Sequence, residues 1–222
     1  KHSLTKQFNT NDLDGYGCAD LSAAIAAAGA LLDYVKHTQR TTLPHIAGLS
    51  VEQASSFIQL DAATRRNLEI DQTLRGETSP TLFSLLDSTQ TAVGARLLRR
   101  WLHYPLRSRS EIVARHEAIH SLIQRATYPA IRNLLRSIGD IERITARIAL
   151  KTARPRDLSG LRESLRQLPA LQTELKNLPA SLLQTLTTEL QAPQAALDLL
   201  QSAIKPEPAA VLREGGVIAA GY

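Results

Sequence analysis

The chain has no methionine, not even at position 1, and a single cysteine, Cys18. One thiol cannot build an internal disulfide framework or a cysteine-based structural zinc site, and so little cysteine fits a reducing compartment. The missing initiator predicts a piece cut from a longer polypeptide. Long apolar runs are lacking as well: the longest, Ala23–Leu32, covers about ten residues and is rich in alanine. A bilayer-spanning helix needs roughly twice that length. No basic segment with a cleavage site opens the sequence, so no secretory signal is expected and the protein is expected to be cytoplasmic. A G-x-x-x-x-G-K-[ST] loop is absent, which removes that route to ATP phosphates, and so is a G-x-S-x-G nucleophile elbow. Gly15-Tyr16-Gly17 lacks both the third glycine and the preceding apolar strand of a dinucleotide loop.

What is present is a chain of 222 residues, 43% hydrophobic and 21% charged, enough for one sizeable domain or one domain and part of a second. Its charge is unevenly spread. Residues 1–60 carry a net −1, residues 61–166 a net +8 and residues 167–222 a net −2. Of the 26 basic residues 20 are arginine, and 18 of those lie between Arg65 and Arg166. Arginine at this density suits bidentate pairing with phosphate or carboxylate, and the positive segment would concentrate a polyanion. It is also a good helix former that coats solvated faces. Both readings stand at this point.

Periodicity makes the protein mainly all-α, with long helices and a few short β segments. Asp20 is the expected N-cap of an Ala/Leu-rich helix reaching Lys36, followed by extended chain or short strands between Thr42 and Leu60. Asp61 caps a short helix over Ala62–Leu68, a Gly/Thr/Ser/Pro loop follows at Gly76–Pro80, and a second short helix covers Thr81–Leu86. After a recap at Asp87–Thr89, a basic helix runs from Thr91 to Tyr104 and stops before Pro105. Trp101 shares its spacing with Leu97, Leu98 and Leu102 and is expected in the core, although beside Arg99, Arg100 and Arg107 it could also stack on bases. Ser108-x-x-Glu111 is a capping box, with Ile112, Ile119 and Ile123 on one face behind it. Pro129 opens the next helix, Gly139 ends it, Asp140 caps another carrying Ile144 and Ile148, and Asp157 caps a leucine seam through Leu158, Leu161, Leu165 and Leu168. The leucine pattern continues to Leu200, broken by Pro169, Pro179 and Pro193. Gly215-Gly216 between β-formers suggests a hairpin or a strand entry.

One catalytic pattern occurs. His116-Glu117-Ala118-Ile119-His120 fits H-E-x-x-H, which on a helix puts two histidines on one face for zinc, with the glutamate as general base. A third ligand is needed. Ala126, six residues on, is not one, and Glu142 is 22 residues downstream. His116 also falls in the row of Ile112, Ile119 and Ile123, which predicts a core or half-buried histidine instead. Cys18 has no neighbouring cation to activate it and is expected as a small buried apolar residue.

Leu60-Asp61-Ala62-Ala63-Thr64-Arg65-Arg66-Asn67-Leu68-Glu69-Ile70 resembles a signature of the MutS DNA mismatch-repair family. The blocks Leu85–Leu102 with Pro105, Arg147 with Thr152–Leu158, and Arg213–Tyr222 are similar to the same family in the same order. Gln7–Thr10, Asp12-Leu13 and Gly15–Gly17 resemble the family's connector, and Thr38–Ile46 resembles its bacterial members. Val93 departs from the methionine often found there, and from Ala170 to Ile204 only the leucine pattern carries over.

The resemblance implies a fragment, with residues 1–30 as the end of a connector domain and 31–222 as a core or lever domain reaching the start of the clamp. The mismatch-reading, clamp and ATPase domains would lie outside it. It further implies that this segment itself has no catalytic, cofactor or metal residues. ATP and Mg2+ would serve the full-length protein, whose partners would be mismatched double-stranded DNA, a second MutS subunit and a MutL-type protein, with no membrane involved. Asp61, Thr64, Arg65, Arg66, Asn67 and Asp157 are the expected structural and interdomain residues, capping helices and forming interhelix ion pairs. Two other readings come from the residues themselves: an autonomous non-specific DNA-binding helical module, and a small zinc hydrolase on His116, Glu117 and His120.

Overall fold

Leucine and isoleucine at helical spacing become twelve α-helices in the computed structural model, which describes residues 1–40 and 43–222. Thr41 and Thr42, the latter the expected start of the extended stretch, lie outside the described residues. No sheet forms among the described residues, and β pairing is confined to two isolated antiparallel bridges, so the protein is mainly all-α. Two compact units divide the chain, one of residues 1–53 and 145–153, the other of residues 54–144 and 154–222.

In the first unit α1 (His2–Phe8) ends at Asn9, which takes a left-handed conformation and donates its N–H to Thr5 O. α2 (Ser22–Gln39) buries Ile25, Gly29 and Leu32, spaced four and three residues apart so that they share one face. That face meets Leu4, Leu13, Cys18 and Leu43, with Phe8, Tyr16, Ile46, Leu49, Val51 and Leu150 around them. The cap of α2 is Leu21, not Asp20: Leu21 N–H bonds Cys18 O in a turn, which delays the helix past the aspartate. Residues 43–53 form no strand. The Gln7 amide donates to Leu43 O at 2.8 Å and Ile46 O at 3.1 Å, so a side chain serves carbonyls that a ladder would otherwise satisfy.

The second unit begins with α3 (Ala62–Asn67), α4 (Leu82–Leu86) and α5 (Ala92–His103). Their caps are local chemistry: the side-chain oxygens of Asp61, Thr81 and Thr91 accept the N–H three residues on. Gly94 suits its place, because a Cβ there would crowd Thr91 Oγ1 at 3.0 Å. α6 (Arg109–Gln124) is capped by Ser108, which accepts from Glu111 N–H at 3.4 Å, the forward half of the expected box. α7 (Tyr128–Arg136) stops three residues short of Gly139. Of α8 (Ile141–Ala149), residues 141–144 belong to this unit.

The three prolines divide the leucine-rich stretch as expected, into α9 (Pro155–Arg166), α10 (Leu168–Leu175), α11 (Ser181–Glu189) and α12 (Gln194–Ala203). α9 packs on α12, α10 on α7, α9 and α11, and α11 on α6. Ile144, Leu161, Leu165, Leu197, Leu200, Ala203, Ile204 and Val217 form one core, and Ala118, Leu178, Ala180 and Leu183 a second. Beyond α12 the chain loops back: Lys205 N–H donates to Val217 O and Ala219 N–H to Ala203 O. Gly215 and Gly216 take positive φ of 67° and 69° on the approach, so the expected hairpin is a long loop closed by one bridge, Ile204 to Ile218.

Candidate functional site

The residues singled out from the sequence cluster at α3. Asp61 Oδ1 accepts from Thr64 N–H at 2.6 Å, and this bond first of all holds the carboxyl below its ordinary pKa. Asp61 and Thr64 are thus brought together as a cap. The guanidinium of Arg65 lies 5.2 Å over the Tyr104 ring. Arg66 and Asn67 are exposed on the last turn. Neither arginine makes an ion pair among the described residues, so the expected interhelix pairing at these two positions is replaced within this chain by an aromatic contact for Arg65. Asp157 is not the N-cap of α9 but its third residue, where Oδ2 accepts from Arg154 N–H at 2.9 Å. Pro155 can occupy the first turn because that position needs no N–H, and this shifts the cap back to Arg154.

Arg96, on α5, is ion-paired. It grips Asp140 through two bonds of 2.8 Å and reaches Glu142 at 2.6 Å. The pair raises the arginine pKa, through Asp140 first and Glu142 next, and lowers that of Asp140. Asp140 also accepts from Arg143 N–H as the cap of α8, so one carboxylate fixes a helix start and joins it to α5. One turn further along α5, Arg99 lies 4.5 Å over the Phe83 ring, while Asp71 takes Arg99 at 3.8 Å and His103 at 3.0 Å.

Arg162 is a structural residue that the sequence pattern did not single out. It is 6% exposed, yet its guanidinium donates to Ile204 O, Lys205 O and Pro206 O at 2.9–3.1 Å, and Nε donates to Glu163 at 2.9 Å. A buried charge is tolerable only when its donors are satisfied in this way. The signal was legible: Arg162 interrupts the buried row of Leu158, Leu161 and Leu165. Four further arginines follow the same habit. Arg107 and Arg132 donate to the carbonyls of Ser55 and Ser88, Arg136 to Gln90, and Arg166 pairs with Glu163. Arginine here is mostly a fastener between elements.

Trp101 is 40% exposed rather than core, and the Arg115 guanidinium lies 3.8 Å over its ring. Facing its own chain's arginine, the ring is not a free base-stacking platform. Cys18 is buried, as expected. On α6 the buried residues are Ala118 and Ser121, while Ile119, Ile123 and His116 are exposed, which overturns the expected isoleucine face and the half-buried histidine. Small residues let α11 approach α6 closely, and that contact outweighs the hydrophobicity of the isoleucine row. Glu117 and His120 line a groove of about 620 Å3 with Ser121, Gln124, Arg125, Pro179 and Ala180. No group of three or more His, Cys, Asp or Glu side chains able to hold a metal is present among the described residues. No described helix is long and apolar enough to cross a membrane.

Short helices fastened by arginine to carboxylates, carbonyls and aromatic rings define a helical scaffold module. Residues 63–220 match the family model for MutS domain III, and residues 1–47 match that for MutS domain II. The chain belongs to the MutS family of DNA mismatch-repair proteins, and carries these two domains of it. The first match and the first compact unit both extend past residue 30, where the connector was expected to end, and that position lies inside α2.

Proposed function

We propose that residues 54–222 act as the lever of a MutS-type protein, coupling ATP state elsewhere in the full-length chain to clamp movement on mispaired DNA, with residues 1–53 as the end of the connector. The observation that carries this reading is the Arg96–Asp140–Glu142 junction. Two side-chain bonds to the cap of α8 and one to its first turn hold that helix start to α5, and packed elements joined in this way move together rather than deform. ATP with Mg2+, mismatched duplex DNA, a second MutS subunit and a MutL-type partner belong to the full-length reading. So do the bacterial type and the cytoplasmic location. Arg65 and Arg66 would contribute by pairing outside this chain.

The test uses the full-length protein with Arg65→Ala. ATP-driven release from a mismatched duplex slows or loses its ATP dependence, while ATP hydrolysis remains measurable. Unchanged coupling removes Arg65 from the lever. The reading of an autonomous DNA-binding module draws on Arg66, Arg75, Arg109, Arg125 and Arg156, which are exposed. Fluorescence anisotropy on matched and G·T-mismatched duplexes separates the two. Weak, salt-sensitive binding blind to the mismatch fits a lever with phosphate contact only, and tight mismatch-selective binding overturns it.

A further inference from the structure

The last turn of α3 and the chain that follows it enclose a pocket of about 330 Å3 lined by Arg65, Arg66, Asp71, Gln72, Thr73, Leu74 and Gly76. Its floor is a tight turn in which Gly76 N–H bonds Thr73 O and Thr73 N–H bonds Glu77 O. Arg65 Nε is buried with no hydrogen-bond partner. Neither Arg65 nor Arg66 has a hydrogen-bond acceptor among the described residues, and the Arg65 guanidinium only faces the Tyr104 ring. Two of the acidic groups nearby are already committed. Asp71 is held by His103 and Arg99, and Glu69 Oε1 accepts from Leu74 N–H at 2.7 Å.

We infer that this pocket binds a phosphate-type oxyanion, held by the Arg65 and Arg66 guanidinium groups. Arg65 and Arg66 both line this pocket, a planar guanidinium fork suits phosphate oxygens, and unlike a carboxylate, phosphate has enough oxygens for both. The hydroxyl of Thr73 and the amide of Gln72 supply further donors at the rim. The surrounding net charge of +8 over residues 61–166 favours an anion before contact is made. The inference goes beyond the lever reading and does not depend on it.

The experiment follows arginine Nε–H signals by NMR while inorganic phosphate replaces chloride at constant ionic strength. Saturable shifts at Arg65 and Arg66, with Arg109 and Arg156 unmoved, are expected. Arg66→Gln, at an exposed position that the fold tolerates, weakens phosphate binding by roughly tenfold, and Arg65→Lys, which keeps the charge and loses the fork, weakens it as well. A uniform drift of all exposed arginines, or no shift, overturns the site and leaves the lever test untouched. A short DNA duplex then identifies the source. Displacement of phosphate by the duplex assigns the pocket to a nucleic-acid backbone phosphate, and retention assigns it to a small phosphate compound.

Discussion

Leu178, in the turn between α10 and α11, is 2% exposed, and Leu85, on α4, is 83% exposed. The contrast extends to the regions around them. Over residues 154–217 most leucines turn inward, Leu186, Leu199 and Leu212 excepted, and seven residues join Ile144 in one core. Over residues 54–136 the large apolar side chains Leu82, Leu85, Leu86, Leu97, Ile119 and Ile123 face outward, and the helices are tied by Thr and Asp caps and by arginines. The same helical periodicity therefore serves two purposes. In the later region it builds a core by area removed from water, which is insensitive to direction and tolerant of detail. In the earlier region it builds a frame of directional bonds and leaves large apolar side chains exposed.

The largest effects should come from breaking the buried side of this contrast. Arg162→Ala strands three carbonyls and removes a satisfied buried charge, so unfolding stability should fall by about 3–5 kcal/mol. Leu178→Ala should cost about 2–5 kcal/mol, whereas Leu85→Ala should change it by less than about 0.5 kcal/mol. Urea denaturation midpoints for the three variants check this directly. Equal losses at Leu85 and Leu178 would show that α4 is covered in solution and erase the difference between the regions.

Some caps and breaks were legible in the sequence because they are decided within four residues. Asp61 and Ser108 sit where their side chains reach N3, and Pro169, Pro179 and Pro193 fall at or near the joints between α9, α10, α11 and α12, whereas the caps expected at Asp20, Asp87–Thr89 and Asp157 moved to Leu21, Thr91 and Arg154. Faces were less legible. On α6 the isoleucines outrank Ala118 and Ser121 in hydrophobicity, but the small pair allows α11 to approach, and a count of apolar residues does not register closeness of approach. The sites divide in the same way. Asp61 with Thr64 is a local bond and was foreseen, while the partners of Arg96 and Arg162 lie 44–46 and 42–44 residues away and appear only on folding.

A smaller effect tests the directional frame. Thr91→Ala removes the acceptor for Gly94 N–H at the start of α5 and should cost about 1 kcal/mol. The loss should concentrate in faster amide exchange over the first turn of α5, with α9–α12 unaffected. A uniform rise in exchange across both regions would mean that they unfold as one and that the frame has no stability of its own.

The smallest effect is a matter of pH. The Asp140 carboxyl is held below its ordinary value of about 3.9, by Arg96 first and by the Arg143 N–H as well. A group with a lowered folded pKa stabilises the native state above its unfolded pKa, and that stabilisation disappears as the pH falls through the lowered value. The junction of α5 with α8 should therefore be intact at neutral pH and weaken below about pH 4. Asp140→Asn removes the titrating group, keeps an oxygen for the α8 cap, and should flatten the acid limb of the stability curve by lowering it at pH 7, where the carboxylate is charged, while changing it little below the lowered pKa. Leu178→Ala, by contrast, should lower the whole curve without changing its slope. If the two variants gave parallel curves, the Arg96–Asp140 bond would not differ in kind from core packing, and the frame would be only a thinner version of the leucine core.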